Sequence, residues 1–338
     1  MSTSMYNEVM DQKHTIDAVI EQFGKSVQSI RTAIIGKPLF FVGTGASYNA
    51  CRAARDVFVL RTGVFPQILH AAEALEFPVS CFSGAAVIIA SQSGESHETK
   101  LLCKHLENSD ALIIALTMTP NSTLAKHADH IMFADVGPEV SSATKTYTAQ
   151  MMMLFMLAIG ERTECISAIQ SDMKDTIDII DTKKDALCGG IASNKYGYIA
   201  GVRELEPAAA QASLMLKEKC FLCYEGMSIN ELRHGTIEAV EPGMNIIVMC
   251  TGEEGFKDAL IHVGFLNRIG ANTFLVHDWG ETDILPPDRI IKIKNRSKPE
   301  FANIVFAPFG QLVAERIASV AGYDVDGFRY LAKIVESY

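Results

Sequence analysis

The stretch ASQSGESHET, at residues 90–99, places polar side chains directly after the apolar run AAVII. Its side-chain hydrogen-bond donors are Ser91, Gln92, Ser93 and Ser96. Gly94 lets the backbone come close to a ligand because it has no side chain. A helix that begins near Glu95 would add the unpaired N–H groups and the partial positive charge of its first turn. This composition favours the binding of a phosphate group.

A second loop of similar chemistry, Gly43-Thr44-Gly45-Ala46-Ser47, follows an earlier apolar run. Because parallel sheets bind ligands at the carboxyl ends of neighbouring strands, Gly45 and Ser47 are expected to lie near the first loop and to hold the same phosphate. Neither loop has the lysine of a P-loop, and GTGASY lacks the third glycine of a dinucleotide fingerprint. The two loops therefore fit a monophosphate carried by a small molecule better than a nucleotide or a dinucleotide. The alternative is that Ser93 or Ser96 only caps a helix.

The elements that position these loops are short apolar runs separated by amphipathic stretches. The first set is PLFFVG, PQILHA, AVIIAS, ALIIALT and HIMFAD, between residues 38 and 135. After a helical stretch from Thr146 to about Leu187, the second set is YGYIAGV, KCFLCY, NIIVMC, TFLVH and RIIKIK. Continuous apolar strands alternating with helices are typical of a parallel sheet covered on both faces. The repeated order predicts two similar α/β domains.

We predict an N-terminal helical segment at 1–36, a first domain with linking helices at 37–187, and a second domain at 188–338. The polar, glycine-containing stretch at 181–194 is typical of a domain boundary. In the second domain, the loop that corresponds to ASQSGESHET contains Glu253 and Glu254. Two carboxylates there would repel a phosphate, so only the first domain is expected to bind one.

Charge and composition exclude several classes of protein. The formal net charge is −10 and no block of consecutive Lys or Arg occurs, so we expect no nucleic-acid partner. The first residues lack a signal-peptide pattern, and the longest apolar run, 151–159, is too short to cross a bilayer. We therefore expect a cytoplasmic protein without a membrane partner. The eight cysteines are expected to be free thiols, and we expect neither a metal nor a cofactor.

Seven motifs in order along nearly the whole chain resemble the sugar isomerase (SIS) domain family. They are MYNEVMDQ at 5–12, GTGASYNA at 43–50, SQSGES at 91–96, EVSSATKTYTAQ at 139–150, LMLKEKC at 214–220, ELRHG at 231–235 and DVDGFRYLAK at 324–333. The sequence resembles in particular the isomerase half of glutamine:fructose-6-phosphate aminotransferase. The resemblance implies an α/β fold of two tandem SIS domains, each a flavodoxin-like doubly wound parallel sheet with helices on both faces.

The resemblance also implies roles for individual residues. The family's proton-transferring carboxylate falls on Glu218, its ring-opening histidine on His234 and its imine-forming lysine on Lys333. Ala143 falls on a sugar contact, and the family's phosphate-binding residues fall on Ser47, Ser91, Gln92, Ser93 and Ser96. Such residue types suit the chemistry, because imidazole exchanges protons near neutral pH and a lysine amine forms Schiff bases with ketones. In the family the histidine comes from the neighbouring subunit, which implies a homodimer with shared sites.

The sequence departs from the synthase pattern at several places. No glutaminase domain precedes the first repeat and no Cys follows Met1, so we do not expect glutamine-dependent synthesis by this chain alone. Met215 replaces a second active-site lysine, and the segment that contains Ala143 is one residue shorter. We expect an enzyme that acts on a 6-phosphorylated ketose or amino sugar by aldose–ketose isomerisation, deamination or deglycation. The alternatives are a non-catalytic sugar-phosphate sensor and a domain pair that binds another anion.

Overall fold

Two compact units, each built around one five-stranded sheet, make up the computed structural model, which describes residues 2–160, 163–330 and 332–333. The first-sheet unit contains residues 11–160 and 163 together with the described residues of 328–333. The second-sheet unit contains residues 2–10 and 164–327, so helix α1 (Ser4–Met10) belongs to it.

The first-sheet unit has parallel strands in the order β2-β1-β3-β4-β5, which is flavodoxin-like. The strands are β1 (Leu39–Gly43), β2 (Gln67–His70), β3 (Ala86–Ala90), β4 (Leu112–Leu116) and β5 (His130–Met132). The helices are α2 (Gln12–Ile34), α3 (Ala46–Thr62), α4 (Ala71–Ala74), α5 (His97–Leu106), α6 (Thr123–His127) and α7 (Lys145–Ile159). All residues of β3 are buried, because helices cover both faces of the sheet.

The second-sheet unit repeats this arrangement in the order β10-β9-β8-β6-β7, again with parallel strands. The strands are β6 (Tyr196–Gly201), β7 (Cys223–Ser228), β8 (Asn245–Cys250), β9 (Asn272–His277) and β10 (Ile290–Lys292). The helices are α8 (Thr163–Ala192), α9 (Glu206–Met215), α10 (Ile229–Arg233), α11 (Gly252–Arg268) and α12 (Ala302–Val320). Counted from its own first strand, each sheet has the order 2-1-3-4-5, as the sequence repeat predicts.

The units divide at a different place from the boundary that the sequence suggests. Helix α8 runs without a break through the polar stretch at 181–192, and the division falls at its start. Leu187, Cys188 and Ile191 form a buried face of this helix, and the Cys188 Sγ donates to the Val313 carbonyl of α12. The polar residues lie on the other side of an amphipathic helix. The described residues after 327 cluster with the first-sheet unit, although they end the second sequence repeat.

The segment KCFLCY is only partly a strand. Leu216–Cys220 form a π-helical turn, and Phe221 then adopts a left-handed conformation with φ of 54°. Strand β7 begins at Cys223. The apolar character of the residues before it comes from packing rather than from a strand: Cys220 is buried, and its Sγ donates to the Ala314 carbonyl of α12. All eight cysteines are free. In the described part of the chain, no helix combines the length and the apolar character needed to cross a membrane.

Candidate functional site

The two polar loops leave the sheet side by side at the carboxyl ends of β1 and β3. Gly43 and Ala90, the last residues of these strands, are paired in the parallel ladder. The chain passes from β1 to β2 on one side of β1, whereas β3 lies on the other side. Such a switch point leaves a crevice between the two loops. A Cβ on Gly43 would lie 2.8 Å from the Tyr48 nitrogen, so the close approach of α3 to β1 requires glycine.

A cavity of about 220 Å³ opens at this edge. Its lining residues are Thr44, Ser47, Ala90, Ser91, Gln92, Ser93, Ser96, Glu98, Thr99 and Lys333. The structure therefore brings together five of the predicted phosphate-binding residues and the predicted imine-forming lysine. Gly45 lies in the same loop, with φ of 56° just before α3, but it does not line the cavity.

The serine loop is held by its own hydrogen bonds. The Ser91 Oγ accepts from the Gly94 N–H at 3.1 Å, and the Ser93 Oγ accepts from the Glu95 N–H at 3.2 Å. A hydroxyl that accepts from the backbone keeps its own O–H to donate to a ligand. The Gln92 carbonyl accepts from the Met118 N–H at 3.0 Å, which ties the loop to the end of β4. The loop is thus shaped before any ligand binds.

Helix α5 begins at His97, two residues later than predicted, and Ser96 is its N-cap. The Ser96 side chain makes no cap hydrogen bond to the helix backbone. Its Oγ is instead 2.6 Å from the Thr99 Oγ1. The Ser96 side chain therefore does not cap the helix backbone, and we expect the N–H groups of the first turn to be available to an anion.

Of the charged side chains near the cavity, Glu98 and Lys333 line it, whereas Glu95 does not. The Glu95 carboxylate accepts from the Thr123 N–H at 2.6 Å and from the Thr123 Oγ1 at 3.0 Å, and these bonds lower the pKa of Glu95. It is turned toward α6 and does not line the cavity. Glu98 contributes one carboxylate to the cavity wall, and Lys333 contributes an ammonium group. Among the described residues, no cluster of His, Cys, Asp and Glu is suited to hold a metal ion.

Lys333 is placed at the cavity by residues that precede α7. Its Nζ donates to the Glu139 Oε2 at 3.1 Å and to the Ser141 carbonyl at 2.8 Å. The Glu139 Oε1 accepts from the N–H groups of Thr144, at 2.8 Å, and Thr146, at 2.9 Å. The Thr144 hydroxyl donates to the same oxygen at 3.1 Å, and the Thr146 hydroxyl donates to Oε2 at 2.8 Å.

Sequence reasoning missed Glu139, although the motif EVSSATKTYTAQ begins with it. The available signal was a carboxylate followed by two threonines just before an apolar helix, which is a pattern for binding the first N–H groups of that helix. Ala143, the predicted sugar contact, is half-buried in the same segment and does not line the cavity.

The other two predicted catalytic residues lie in the second-sheet unit. Glu218 is half-buried in the π-helical turn at the end of α9, and such turns are frequent at functional sites. His234 follows α10 and is exposed. Met215, where the synthases have a lysine, is 1% exposed in the core of the unit. The roles of Glu218 and His234 stay predictions.

The matching edge of the second sheet already holds a carboxylate. The Asp278 Oδ1 accepts from the Gly252 N–H at 2.8 Å, at the start of α11. The side chains of Thr251 and Asn295 donate to the Asp278 Oδ2. Asp278 thus occupies the helix N-terminus where a phosphate would bind. This is a second reason, besides Glu253 and Glu254, to expect no phosphate there.

Residues 36–160 match the SIS domain family. The isomerizing glutamine–fructose-6-phosphate aminotransferase of Bacillus licheniformis is 28% identical over 313 residues, which cover 88% of the chain and 51% of that protein. The enzyme of the same name from Sulfurisphaera tokodaii is 28% identical over 332 residues, which cover 96% and 54%. The chain spans about half the length of the curated relatives it matches.

Two solved structures share the fold of nearly the whole chain. The C-terminal domain of glucosamine-fructose-6-phosphate aminotransferase from Francisella tularensis has a TM-score of 0.84 at 21% identity and covers 96% of each chain. Glucosamine-6-phosphate deaminase from Thermotoga maritima has a TM-score of 0.80 at 20% identity and covers 98% and 99%. The predicted tandem SIS fold and the resemblance to the isomerase half of the aminotransferase are confirmed.

Proposed function

We propose that this SIS protein is an enzyme that acts on a 6-phosphorylated ketose or amino sugar, by aldose–ketose isomerisation, deamination or deglycation. The observation that carries the proposal is the cavity at which the Ser91, Ser93 and Ser96 loop meets the Lys333 amine. A phosphate held by hydroxyls and helix N-termini leaves the sugar carbons beside a nucleophile. The names of the aminotransferase, the deaminase and a tagatose-6-phosphate ketose/aldose isomerase share a phosphorylated sugar, which supports this substrate class.

In the proposed mechanism, each of the three predicted catalytic residues has one role. His234 moves a proton between the ring oxygen and the anomeric hydroxyl, so that the ring opens. The Lys333 ammonium group first gives up a proton to solvent; the resulting neutral amine attacks the open-chain ketone, and loss of water gives an imine. Glu218 then takes a proton from one of the carbons C1 and C2 and returns it to the other. In deamination, the proton transfer turns the C2 amine of an amino sugar into an imine at C2, and water then releases ammonia and leaves the ketone. In deglycation, the transfer turns the C1 amine of a fructosamine into an imine at C1, and water releases the amine and leaves the aldehyde.

We also propose that the working unit is a homodimer in which a second copy of the chain supplies His234. His234 is exposed in its own chain and is therefore accessible to a second copy. The SIS resemblance supports this arrangement.

The proposal is tested by proton NMR in deuterated buffer with fructose 6-phosphate, glucosamine 6-phosphate and a fructosamine 6-phosphate. We expect turnover, or exchange of the C1 or C2 proton, with at least one of them. Glu218→Gln is expected to abolish exchange while sugar-phosphate binding survives, because the phosphate loops lie in the other unit. Binding without exchange in the unaltered protein would favour the sensor. Absence of both would contradict the substrate class.

A further inference from the structure

The buried carboxylate of Glu139 forms an ion pair with Lys333. Its side chain is 2% exposed, and that of Lys333 is 27% exposed. A buried carboxylate is costly unless it is paired and hydrogen bonded. The threonine donors are neutral, so the charge of Glu139 is balanced through Lys333. The two residues are 194 positions apart in sequence, so this pair is a tertiary contact rather than a local one.

The position of Glu139 is fixed by the core. Its Oε1 binds the N–H groups of Thr144 and Thr146 at the start of α7. All 15 residues of α7 are buried. A carboxylate at a helix N-terminus is further stabilised by the helix dipole. Movement of Glu139 would therefore disturb a helix that is packed on every side.

The described residues nearest to Lys333 in sequence are exposed to solvent. Arg329 and Ala332 are exposed, and Tyr330 is 89% exposed. The polar contacts of Lys333 go to Glu139 and to the Ser141 carbonyl, both in the segment before α7. That segment fixes the amine at the cavity.

We propose that Glu139 is a positioning residue, which docks the chain at Lys333 and holds the amine where the carbonyl of a bound sugar phosphate arrives. The docking stands on the geometry alone, and its use in imine formation rests on the proposed function. Two measurements separate the two statements.

The first measurement follows docking without any sugar. Trypsin cleaves after Arg329, and mass spectrometry of the released peptide gives the rate. Glu139→Gln and Lys333→Gln are each expected to raise this rate severalfold, and the double variant is expected to raise it no further, because both break one pair. Thr146→Val is the control, since it removes a neutral donor to Oε2 and leaves the ion pair. Unaltered cleavage in Glu139→Gln and Lys333→Gln would overturn the docking.

The second measurement traps the imine at Lys333 with borohydride and saturating fructose 6-phosphate. We expect Glu139→Gln to slow adduct formation about tenfold, the loss expected for one hydrogen bond to a charged group. The dissociation constant of the sugar phosphate should stay near its original value, because the serine loop is untouched. Glu139→Asp keeps the charge and should recover part of the rate. A purely structural role would lower the melting temperature and weaken binding and trapping together.

Trapping at the original rate in Glu139→Gln would overturn the positioning role. If the unaltered protein forms no adduct with any of the three sugars, the proposed function fails instead, and the trypsin result still decides the docking. If Glu139→Gln does not fold, Lys333→Gln tests the same docking from the other side without touching the start of α7.

Discussion

At the scale of single residues, the sequence was most informative where side-chain chemistry is local. Ser91, Ser93 and Ser96 lie within six residues of one another, so their joint contact with a ligand follows from one loop. Glu139 was not predictable in the same way. Its partner Lys333 is brought to it by tertiary folding, and neither residue's neighbours in sequence indicate the contact.

Gly94 is the residue whose replacement should damage the loop most. Its φ is 63°, and an added Cβ would lie 2.2 Å from the Ser122 Oγ. Gly36 is a matched control, because its φ is 74° and an added Cβ would meet nothing within 4 Å. We expect Gly94→Ala to lower the free energy of unfolding by about 2 kcal/mol more than Gly36→Ala, and to weaken sugar-phosphate binding. Urea unfolding checks the first effect and calorimetry the second. If Gly94→Ala and Gly36→Ala lower the free energy of unfolding equally, the loop relaxes around the new methyl group of residue 94.

At the scale of helices and strands, periodicity predicted nine of the ten strands of the described residues, placed β7 only in part, and missed the ends of several elements. The continuous apolar runs gave the strands because both faces of each sheet are buried. The stretch at 181–194 predicted a domain boundary, although its polar residues up to 192 lie on the solvent side of α8, opposite the buried Leu187, Cys188 and Ile191. The π-helical turn at Glu218 was missed as well, since a π turn has no hydrophobic period of its own to be read from sequence.

Strand β9 ends in a histidine that should make stability depend on pH. His277 is 1% exposed, and burial lowers its pKa below the ordinary value of 6.5. The unfolded chain therefore binds a proton more readily than the folded protein below about pH 6.5, so His277 reduces stability as the pH falls through that range. In His277→Gln this loss should be smaller.

Unfolding by urea at pH 7.5 and at pH 5.5 measures the difference. His262, whose pKa is also lowered by burial, titrates in both proteins and cancels in the comparison. An identical loss of stability in the unaltered protein and in His277→Gln would show that His277 does not titrate as described.

At the scale of the whole molecule, the sequence repeat predicted two units of one topology, and the structure contains them. Which segments of the chain belong to which unit was less predictable. Helix α1 clusters with the second-sheet unit, and the described residues after 327 cluster with the first. Long-range packing decides such membership, and packing partners cannot be read from the periodicity of a single segment.

The proposed sharing of sites between two copies has a direct test. Lys333→Met and His234→Ala should each be inactive, but a mixture of the two, dissociated and reassociated, should regain about a quarter of the sites of the unaltered protein. Lys333→Met mixed with a Ser91→Ala/Ser93→Ala variant should regain nothing, because both defects lie in one unit of the same chain. If the first mixture also stays inactive, His234 acts within its own chain.

The Asp278 carboxylate at the start of α11 has a consequence for how the duplicated architecture is used. One copy carries an internal carboxylate that already accepts a hydrogen bond from the first turn of its helix, so we expect its stability not to depend on a metabolite. We expect the other copy to receive its counter-charge from a bound sugar phosphate, and to gain or lose that contribution to stability as the concentration of the sugar phosphate changes. Two units of the same topology are thus expected to differ in whether their stability depends on a ligand.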